Sequence, residues 1–234
     1  MSMDTNTDTL VTHQRIALSR SATWLNRGDR DGLPFWKLAM DKTIAALVLL
    51  MVAPIFLIVA AVILLRDGNP VFFGHSRVGR NGRTFRCYKF RTMVRDADVQ
   101  LSRLLAIDPI AREEWQTERK LTRDPRVNAF GRLLRKSSID ELPQLWNVLR
   151  GDMSLVGPRP VTSDESEKYG EAFSTYTKVR PGVTGAWQVS GRNETSYAER
   201  VKLDVDYVQT QSLRGDITIL AKTAGVVLFG TGAS

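Results

Sequence analysis

The stretch TIAALVLLMVAPIFLIVAAVILL, residues 43–65, decides the fold, because its 23 residues carry no charge. A helix rises about 1.5 Å per residue, so this stretch would extend roughly 34 Å as a helix. That length is enough to cross a hydrocarbon core of about 30 Å. The sequence therefore predicts a membrane helix.

Pro54 divides this stretch nearly in half. Proline removes a backbone N–H and crowds the preceding turn, so it kinks or breaks a helix. Geometry allows two halves that enter and leave one leaflet, and it also allows a single kinked span. The flanking basic residues are balanced: Arg27, Arg30, Lys37 and Lys42 precede the stretch, and Arg66, Arg77, Arg80 and Arg83 follow it. This symmetry favours a re-entrant helix, since loop charge orients a span only when one side has an excess.

Length, charge and cysteine content limit the class of protein. The 234 residues are enough for one core plus a membrane element, and the net charge of +8 indicates a polyanionic partner. Cys87 is the single cysteine, so an intramolecular disulfide is excluded. We expect Cys87 to pack as a small apolar residue in a strand. With only two histidines, far apart, a histidine-based metal site or a Ser-His triad is not expected.

The rest of the chain shows short structural signals. Asn81-Gly82 between two strand-like runs predicts a β-hairpin. The apolar spacing from 97 to 119 predicts helix, interrupted near Pro109. Another helical stripe, core or membrane-surface, occurs near the C-terminus and comprises Ile217, Leu220, Ala221, Ala224, Val227 and Leu228.

Two adjacent carboxylates lie in SSIDELPQLWNVLRG, residues 137–151. Ser138 to Glu141 has the S-x-x-E pattern of a capping box. Pro143 would then disturb the first full turn, so we expect the N-cap at Asp140, Glu141 or Leu142 and the helix to end at Gly151. From the residues alone, a structural cap and a chemical role both remain open.

Arginines recur in loops with glycine and proline. SLVGPRP presents Arg159, VRPGVTG presents Arg180, and SGRNE presents Arg192 beside Asn193. Arginine binds phosphate in a planar, bidentate manner, so these loops predict a multiply phosphorylated ligand. Together with the membrane helix and the carboxylate pair, they suggest phosphoryl transfer at a lipid interface, because a carboxylate can hold Mg²⁺ or attack phosphorus.

Several motifs make a more specific resemblance. They are KFRTM (89–93), DPRV (124–127), LRKSSIDELPQLWNVLRGDMSLVGPRP (134–160), RPGVTGAWQVSGRN (180–193) and LDVDYV (203–208). From about residue 36 onward the chain resembles the bacterial sugar transferase family of polyprenyl-phosphate hexose-1-phosphate transferases. It is most similar to the short members that start exopolysaccharide repeat units with galactose 1-phosphate. We therefore expect none of the additional spanning helices of the long members.

The resemblance implies an α+β, predominantly helical, monotopic membrane protein with a re-entrant helix, a β-hairpin and interfacial amphipathic helices. The implied organisation is a mobile tail (1–35), a re-entrant helix (36–66) and a cytoplasmic catalytic domain (67–234). In this family a Ser-Pro pair breaks the re-entrant helix, whereas this chain has Ala53-Pro54 at that place. The family's basic pair at the start of the helix is only partly kept, since Lys37 is followed by Leu38.

The resemblance also assigns roles. Asp140 matches the nucleophile, Glu141 matches its catalytic partner, and both would hold Mg²⁺. The substrate-binding residues would be Lys89, Arg91, Arg135, Arg159, Arg180, Arg192 and Asn193. The donor would be a UDP-sugar, the acceptor undecaprenyl phosphate, and the products UMP and a lipid diphosphate sugar. The protein would lie in the bacterial inner membrane with its catalytic domain on the cytoplasmic face.

Two alternatives remain open at this stage. The donor sugar could be glucose or an N-acetylated sugar, because nothing in the sequence reports the pocket shape. More remotely, the chain could be a membrane-anchored basic protein that docks on anionic lipid or nucleic acid, with its carboxylates as helix caps. We expect no nucleic-acid partner, and a homodimer is predicted from base rates alone.

Overall fold

The computed structural model of the protein describes residues 34–118, 121–190 and 196–229. Within these ranges the chain is mostly helical, with two small sheets and one long apolar helix. The helices are α1 Phe35–Asp67, α2 Ala97–Ile107, α3 Pro109–Glu118, α4 Ala129–Lys136, α5 Gln144–Arg150, α6 Ser163–Ser166, α7 Phe173–Tyr176, α8 Tyr197–Thr210 and α9 Leu213–Phe229. The strands are β1 Phe72–Val78, β2 Thr84–Phe90, β3 Ser154–Val156 and β4 Gly182–Thr184. Residues 1–33 of the predicted tail lie outside the described residues.

Helix α1 contains the predicted membrane stretch and extends one residue beyond the predicted bounds at each end. Only 11% of the most apolar 18-residue segment of α1 is buried against the protein. Helix α1 is therefore not the core helix of a soluble domain. The exposed apolar surface indicates membrane association. Pro54 lies inside the helix, which continues on both sides of it. The predicted break is therefore not a gap in the helix, and a bend of its axis at Pro54 stays a prediction.

Both ends of α1 pack on the same domain. Near the N-terminal end, Ala45 is fully buried in a cluster with Val148 of α5. Near the C-terminal end, Ile63 is fully buried with Phe90 of β2 and Leu134 of α4. Several large apolar side chains between these contacts are exposed, namely Leu47, Leu50, Met51, Leu57 and Ile58. The helix is thus held to the domain at both ends with an apolar surface left open between them.

The predicted hairpin is confirmed. Strands β1 and β2 pair antiparallel from Phe72 opposite Phe90 to Val78 opposite Thr84. Asn81 and Gly82 have φ of 57° and 72° in the connecting turn, the left-handed region that Asn and Gly tolerate best. Cys87 in β2 is 2% exposed and free, as the sequence predicted. Burial raises the pKa of its thiol.

The second sheet joins the two arginine loops. Strands β3 and β4 are parallel, with Ser154 opposite Gly182. A Cβ atom at Gly157 would lie 2.5 Å from the carbonyl oxygen of Arg180, so only glycine allows this approach. The backbone N–H of Gly182 donates to the carbonyl of Pro158 over 2.8 Å. The segments that carry Arg159 and Arg180 are therefore fixed to each other by their backbones.

The helix boundaries near the carboxylates differ partly from the prediction. Pro109 begins α3 after Asp108, so the predicted interruption is confirmed. Gly151 ends α5 with φ of 87°, as predicted for a C-cap. The N-cap predicted among Asp140, Glu141 and Leu142 was wrong, because α5 begins at Gln144 and its N-cap is Pro143. The reason is that Ile139–Glu141 forms a separate 3₁₀ turn ahead of the helix.

Candidate active site

The two carboxylates lie on a strained turn between α4 and α5. Ser138 has φ of 57° and ψ of 14°, a left-handed conformation that is uncommon for a residue other than glycine. Its side chain makes no capping hydrogen bond, so the capping box that the sequence allowed is absent. Strain of this kind persists only where the surrounding fold enforces it, and it is concentrated at functional sites. The 3₁₀ turn that follows places Asp140 and Glu141 next to each other.

Asp140 is buried, with 6% of its surface exposed. Burial disfavours its ionised form, and the negative charge of Glu141 adds to this effect, whereas Lys89 and Arg135 oppose it. The result is a pKa raised to about 6. No side-chain hydrogen bond to Asp140 is present among the described residues, so its carboxylate is ionised at neutral pH yet little stabilised. The role of Asp140 as a nucleophile stays a prediction.

Lys89 joins strand β2 to the carboxylate turn. Its Nζ lies 2.5 Å from Oε1 of Glu141, and both side chains are about one-third exposed, at 32%. The predicted substrate-binding lysine and the predicted catalytic partner are therefore in direct contact. Of the two charges, that of Lys89 has the larger influence on Asp140 and favours its ionised form.

Arg135 is positioned by a close contact between α4 and the KFRTM segment. A Cβ atom at Gly131 would lie 2.2 Å from the carbonyl oxygen of Thr92, so glycine is required for the helix to lie this close. One turn later, Nε of Arg135 donates to Oγ1 of Thr92 over 2.9 Å. Burial lowers the pKa of Arg135 and the charge of Asp140 opposes this effect, so the guanidinium adds positive charge near Asp140.

The hairpin connects this site to the membrane helix. The rings of Phe56 in α1, Phe72 in β1 and Phe90 in β2 form a cluster with centroids 4.8–5.6 Å apart. Phe90 follows Lys89 directly, and Phe73, opposite Lys89 in the sheet, is 55% exposed. Side chains of successive strand residues point to opposite faces. The Lys89 end of the hairpin is therefore the end beside the membrane helix.

The other predicted substrate-binding residues do not all lie at the carboxylate turn. Arg159 and Arg180 lie on the coupled loops, Arg180 being 7% exposed with its guanidinium 3.3 Å from an ideal Cβ on Gly151. Arg91 lies at the C-terminal end of α1, where its Nη2 donates to the carbonyl of Gly68 over 2.6 Å. Its role in substrate binding stays a prediction. Arg192 and Asn193 lie outside the described residues.

Sequence reasoning missed four residues that the fold brings to this region. Thr92 holds Arg135, and Arg77 shares a face of the hairpin with Cys87 and Lys89, as their pairings require. Trp187, after β4 in the chain, contacts both Arg159 and Arg200 through its ring. The alternation of Arg77 with its neighbours could have indicated a cationic strand face. No local pattern indicated Arg200, since it lies on an ordinary amphipathic helix.

The donor set fits Mg²⁺ bound together with a substrate. Within the ranges that the structure describes, no group of three or more His, Cys, Asp or Glu side chains could form a complete metal site. Mg²⁺ commonly uses one or two carboxylates and completes its coordination with substrate phosphates and water. Asp140 and Glu141 supply two hard oxygen donors next to each other, which satisfies that requirement.

Comparison with known proteins agrees with the geometry. The model of the bacterial sugar transferase family matches residues 33–230. The chain belongs to the bacterial sugar transferase family. It is 50% identical over 197 residues to the exopolysaccharide production protein ExoY of Sinorhizobium fredii, covering 84% of this chain and 87% of that protein.

Two further relatives carry more specific names. The chain is 47% identical over 230 residues to the undecaprenyl-phosphate galactose phosphotransferase of Salmonella typhimurium, covering 97% of this chain and 47% of that protein. It is 40% identical over 209 residues to the undecaprenyl-phosphate glucose phosphotransferase of Komagataeibacter xylinus, covering 84% of this chain and 36% of that protein. The chain thus spans about half or less of these two longer relatives. This bacterial sugar transferase is an enzyme, as the sequence motifs predicted.

Proposed function

We propose that this sugar transferase moves a hexose 1-phosphate, by preference galactose 1-phosphate, from a UDP-sugar to undecaprenyl phosphate and releases UMP. The reaction would be the first membrane step of exopolysaccharide biosynthesis. The observation that carries the proposal is Asp140: a buried carboxylate with a pKa of about 6, placed between Lys89 and Arg135 beside a membrane helix. The names of the galactose phosphotransferase and ExoY relatives support the same reaction.

In the proposed mechanism an Oδ atom of Asp140 attacks the phosphorus that bears the sugar. The bond from this phosphorus to the oxygen bridging to the α-phosphate breaks, and UMP departs with both electrons of that bond. The phosphate oxygen of undecaprenyl phosphate then attacks the same phosphorus. Asp140 departs as a carboxylate, and the product is undecaprenyl diphosphate sugar. Both steps exchange one phosphorus–oxygen bond for another, so no oxidant or further reactant is required.

The surrounding residues would have separate tasks. Lys89 and Arg135 would place positive charge where the equatorial phosphate oxygens gather charge. Glu141, fixed by Lys89, would help to hold Mg²⁺ together with Asp140. When bound, Mg²⁺ would neutralise the diphosphate and favour loss of UMP. We propose Arg159, Arg180, Arg192 and Asn193 as further contacts to the donor.

Release of UMP from a panel of UDP-sugars tests this proposal and selects the sugar. UDP-galactose should give sustained UMP release only with undecaprenyl phosphate and Mg²⁺ present. Without the lipid, release should stop at one equivalent per enzyme, because the phosphosugar stays on Asp140. A preference for UDP-glucose would agree instead with the glucose phosphotransferase relative, and a preference for an N-acetylated donor would favour the remaining alternative.

We also propose a re-entrant topology at the cytoplasmic face of the inner membrane. Its support is that Ala45 and Ile63, near opposite ends of α1, are both buried against the same domain. A straight span would carry one end away from that domain to the other side of the bilayer. In a variant with Cys87 replaced, single cysteines at positions 10 and 120 should both resist a membrane-impermeant thiol reagent in intact cells. Labelling at position 10 alone would indicate a span.

A binding protein without catalysis is the second candidate, and the structure removes part of its basis. That reading required the carboxylates to be helix caps, yet neither Ser138 nor Pro143 has a capping side-chain hydrogen bond. It would gain support if UMP were never released from any UDP-sugar while membrane binding was retained. The homodimer stays a prediction that sizing in detergent or nanodiscs would test.

A further inference from the structure

We propose that Arg77, Arg159, Arg200 and Trp187, here called the distal arginine cluster, hold the UMP half of the donor. This inference rests on the proposed function and adds a second subsite to it, away from the carboxylate turn. Arg77 and Arg200 then become residues that determine affinity for the nucleotide.

Trp187 contacts two of the three arginines of the cluster. The guanidinium carbon of Arg159 lies 5.5 Å from its ring centroid, and that of Arg200 lies 4.9 Å from it. Arg200 also lies 5.1 Å from the ring of Tyr197. A cation–π contact with an aromatic ring holds a guanidinium in place. It leaves the N–H groups of the guanidinium available as hydrogen-bond donors.

Arg200 provides an independent indication of a ligand. It is 8% exposed, and its Nε and Nη2 are buried without a hydrogen-bond partner in the described part of the chain. Buried guanidinium N–H groups are costly unless they are satisfied. Glu165 satisfies only part of the need, with Oε1 3.8 Å from Nη1 of Arg200. The remaining donors are suited to oxygen acceptors that a ligand brings.

The cluster also keeps an excess of positive charge. Arg77 pairs with Glu165 over 3.1 Å. The charges of Arg200 and Arg159 favour the ionised form of Asp204. One of its carboxylate oxygens accepts a hydrogen bond from the hydroxyl of Tyr169 over 2.7 Å. Three guanidinium groups therefore face two carboxylates. A net cationic cluster built around an aromatic ring suits a nucleoside phosphate better than a neutral sugar.

The hairpin connects this cluster to the carboxylate turn. Arg77 lies opposite Phe85, and Phe85 lies four residues from Lys89 on β2, which corresponds to about 13 Å along the strand. Cys87, between them on β2, is buried, whereas His75 opposite it on β1 is exposed and lies within reach of the charges of both Arg77 and Lys89. The two groups of charges thus border one continuous face. A nucleoside diphosphate sugar that lies along this face would place its sugar-bearing phosphate at Asp140 and its nucleoside toward Trp187.

Product inhibition by UMP tests the proposal in the full-length enzyme. In Arg77→Gln and Arg200→Met, KM for UDP-galactose and Ki for UMP should rise together by about 10-fold or more, as expected for loss of charge-assisted hydrogen bonds. KM for undecaprenyl phosphate should stay within twofold. Arg77→Lys should recover part of the affinity, because it retains the charge. Arg150→Met, with a half-exposed arginine on α5, is the matched control and should leave all three constants unchanged.

The outcomes separate this inference from the proposed function. If wild-type enzyme releases no UMP from any UDP-sugar, the proposed function fails. If wild type is active but Ki for UMP is unchanged in both Arg77→Gln and Arg200→Met, the distal arginine cluster does not bind the nucleotide. A fall in kcat alone in both variants, with KM and Ki unchanged, would also overturn it. Arg77 is partly exposed, so its variant stays informative even if Arg200→Met does not fold.

Discussion

Two buried charged regions of this molecule differ in how completely they are satisfied. One is the carboxylate turn with Asp140. The other, here called the helix clamp, joins Lys37 and Asp41 of α1 to Asp216 of α9. Lys37 is 1% exposed, and its Nζ lies 2.5 Å from Oδ2 of Asp216 and donates to the carbonyl of Val156 over 2.9 Å.

Every carboxylate oxygen of the helix clamp has a partner. Oδ1 of Asp216 accepts the hydroxyl of Tyr207, while Asp41 accepts the hydroxyl of Ser154 and the backbone N–H of Leu155. Among the residues that the structure describes, Asp140 has no such side-chain partner, and it lies two residues after the strained Ser138. A complete network stabilises a structure, whereas an incomplete one keeps a carboxylate reactive. The helix clamp holds the membrane helix, whereas Asp140 is the carboxylate that we propose acts on substrate.

The sharpest test of this contrast is Asp140→Asn. Loss of the nucleophile should lower UMP release by more than about 10³-fold. The same variant should be at least as stable as wild type at pH 7, by up to about 3 kcal/mol, because a carboxyl with a raised folded pKa destabilises the fold once ionised. Thermal unfolding in detergent measures the second effect. Near-normal turnover would show that Asp140 is not the nucleophile.

Removal of a charged group from the helix clamp should lower the stability of the protein. Lys37→Met leaves two buried carboxylates without their cation, which should lower the free energy of unfolding by about 3–5 kcal/mol. Lys42→Met is the matched control, because Lys42 is exposed on the same helix. Unfolding temperatures of the two variants in the same detergent make the comparison. Equal stability of both would mean that the clamp contributes nothing.

The pH dependence of the first step tests the electrostatics of Asp140. The rate of the lipid-independent UMP burst should fall about tenfold per pH unit below about 6, because only the carboxylate attacks, and it should level off above. In Lys89→Met the midpoint should move to higher pH, since the Lys89 charge favours ionisation of Asp140. A midpoint that moves to lower pH, or not at all, would contradict this account.

The smallest expected effect concerns the support of Arg135. Thr92→Val removes the acceptor of the Arg135 Nε–H while keeping the side-chain shape. Loss of one such hydrogen bond should lower kcat by about three- to tenfold. Thr122→Val, at an exposed threonine, is the control and should leave kcat unchanged. An unchanged kcat in Thr92→Val would show that Arg135 is positioned by other contacts.

Local patterns predicted the parts of the fold that depend on neighbouring residues. Uninterrupted apolar character predicted α1, Asn81-Gly82 predicted the hairpin turn, and Gly151 predicted the end of α5, all confirmed. The start of α5 was missed because the strain at Ser138 comes from the packing around the turn. Arg91 shows the same limit, since its contact with the end of α1 joins segments that are 23 residues apart.

The sequence by itself determined that this protein has an apolar membrane helix, a carboxylate pair, and arginines in loops of the kind that can bind phosphate. These features follow from residue type and short spacing, and the family motifs carry them. Only the tertiary structure decided which charges are satisfied and which remain available. It placed Lys37 with Asp216 across 179 residues, it brought Arg159 and Arg200 over Trp187, and it joined Arg77 to Arg200 through Glu165. Such long-range pairings depend on how elements pack, and no local pattern encodes them.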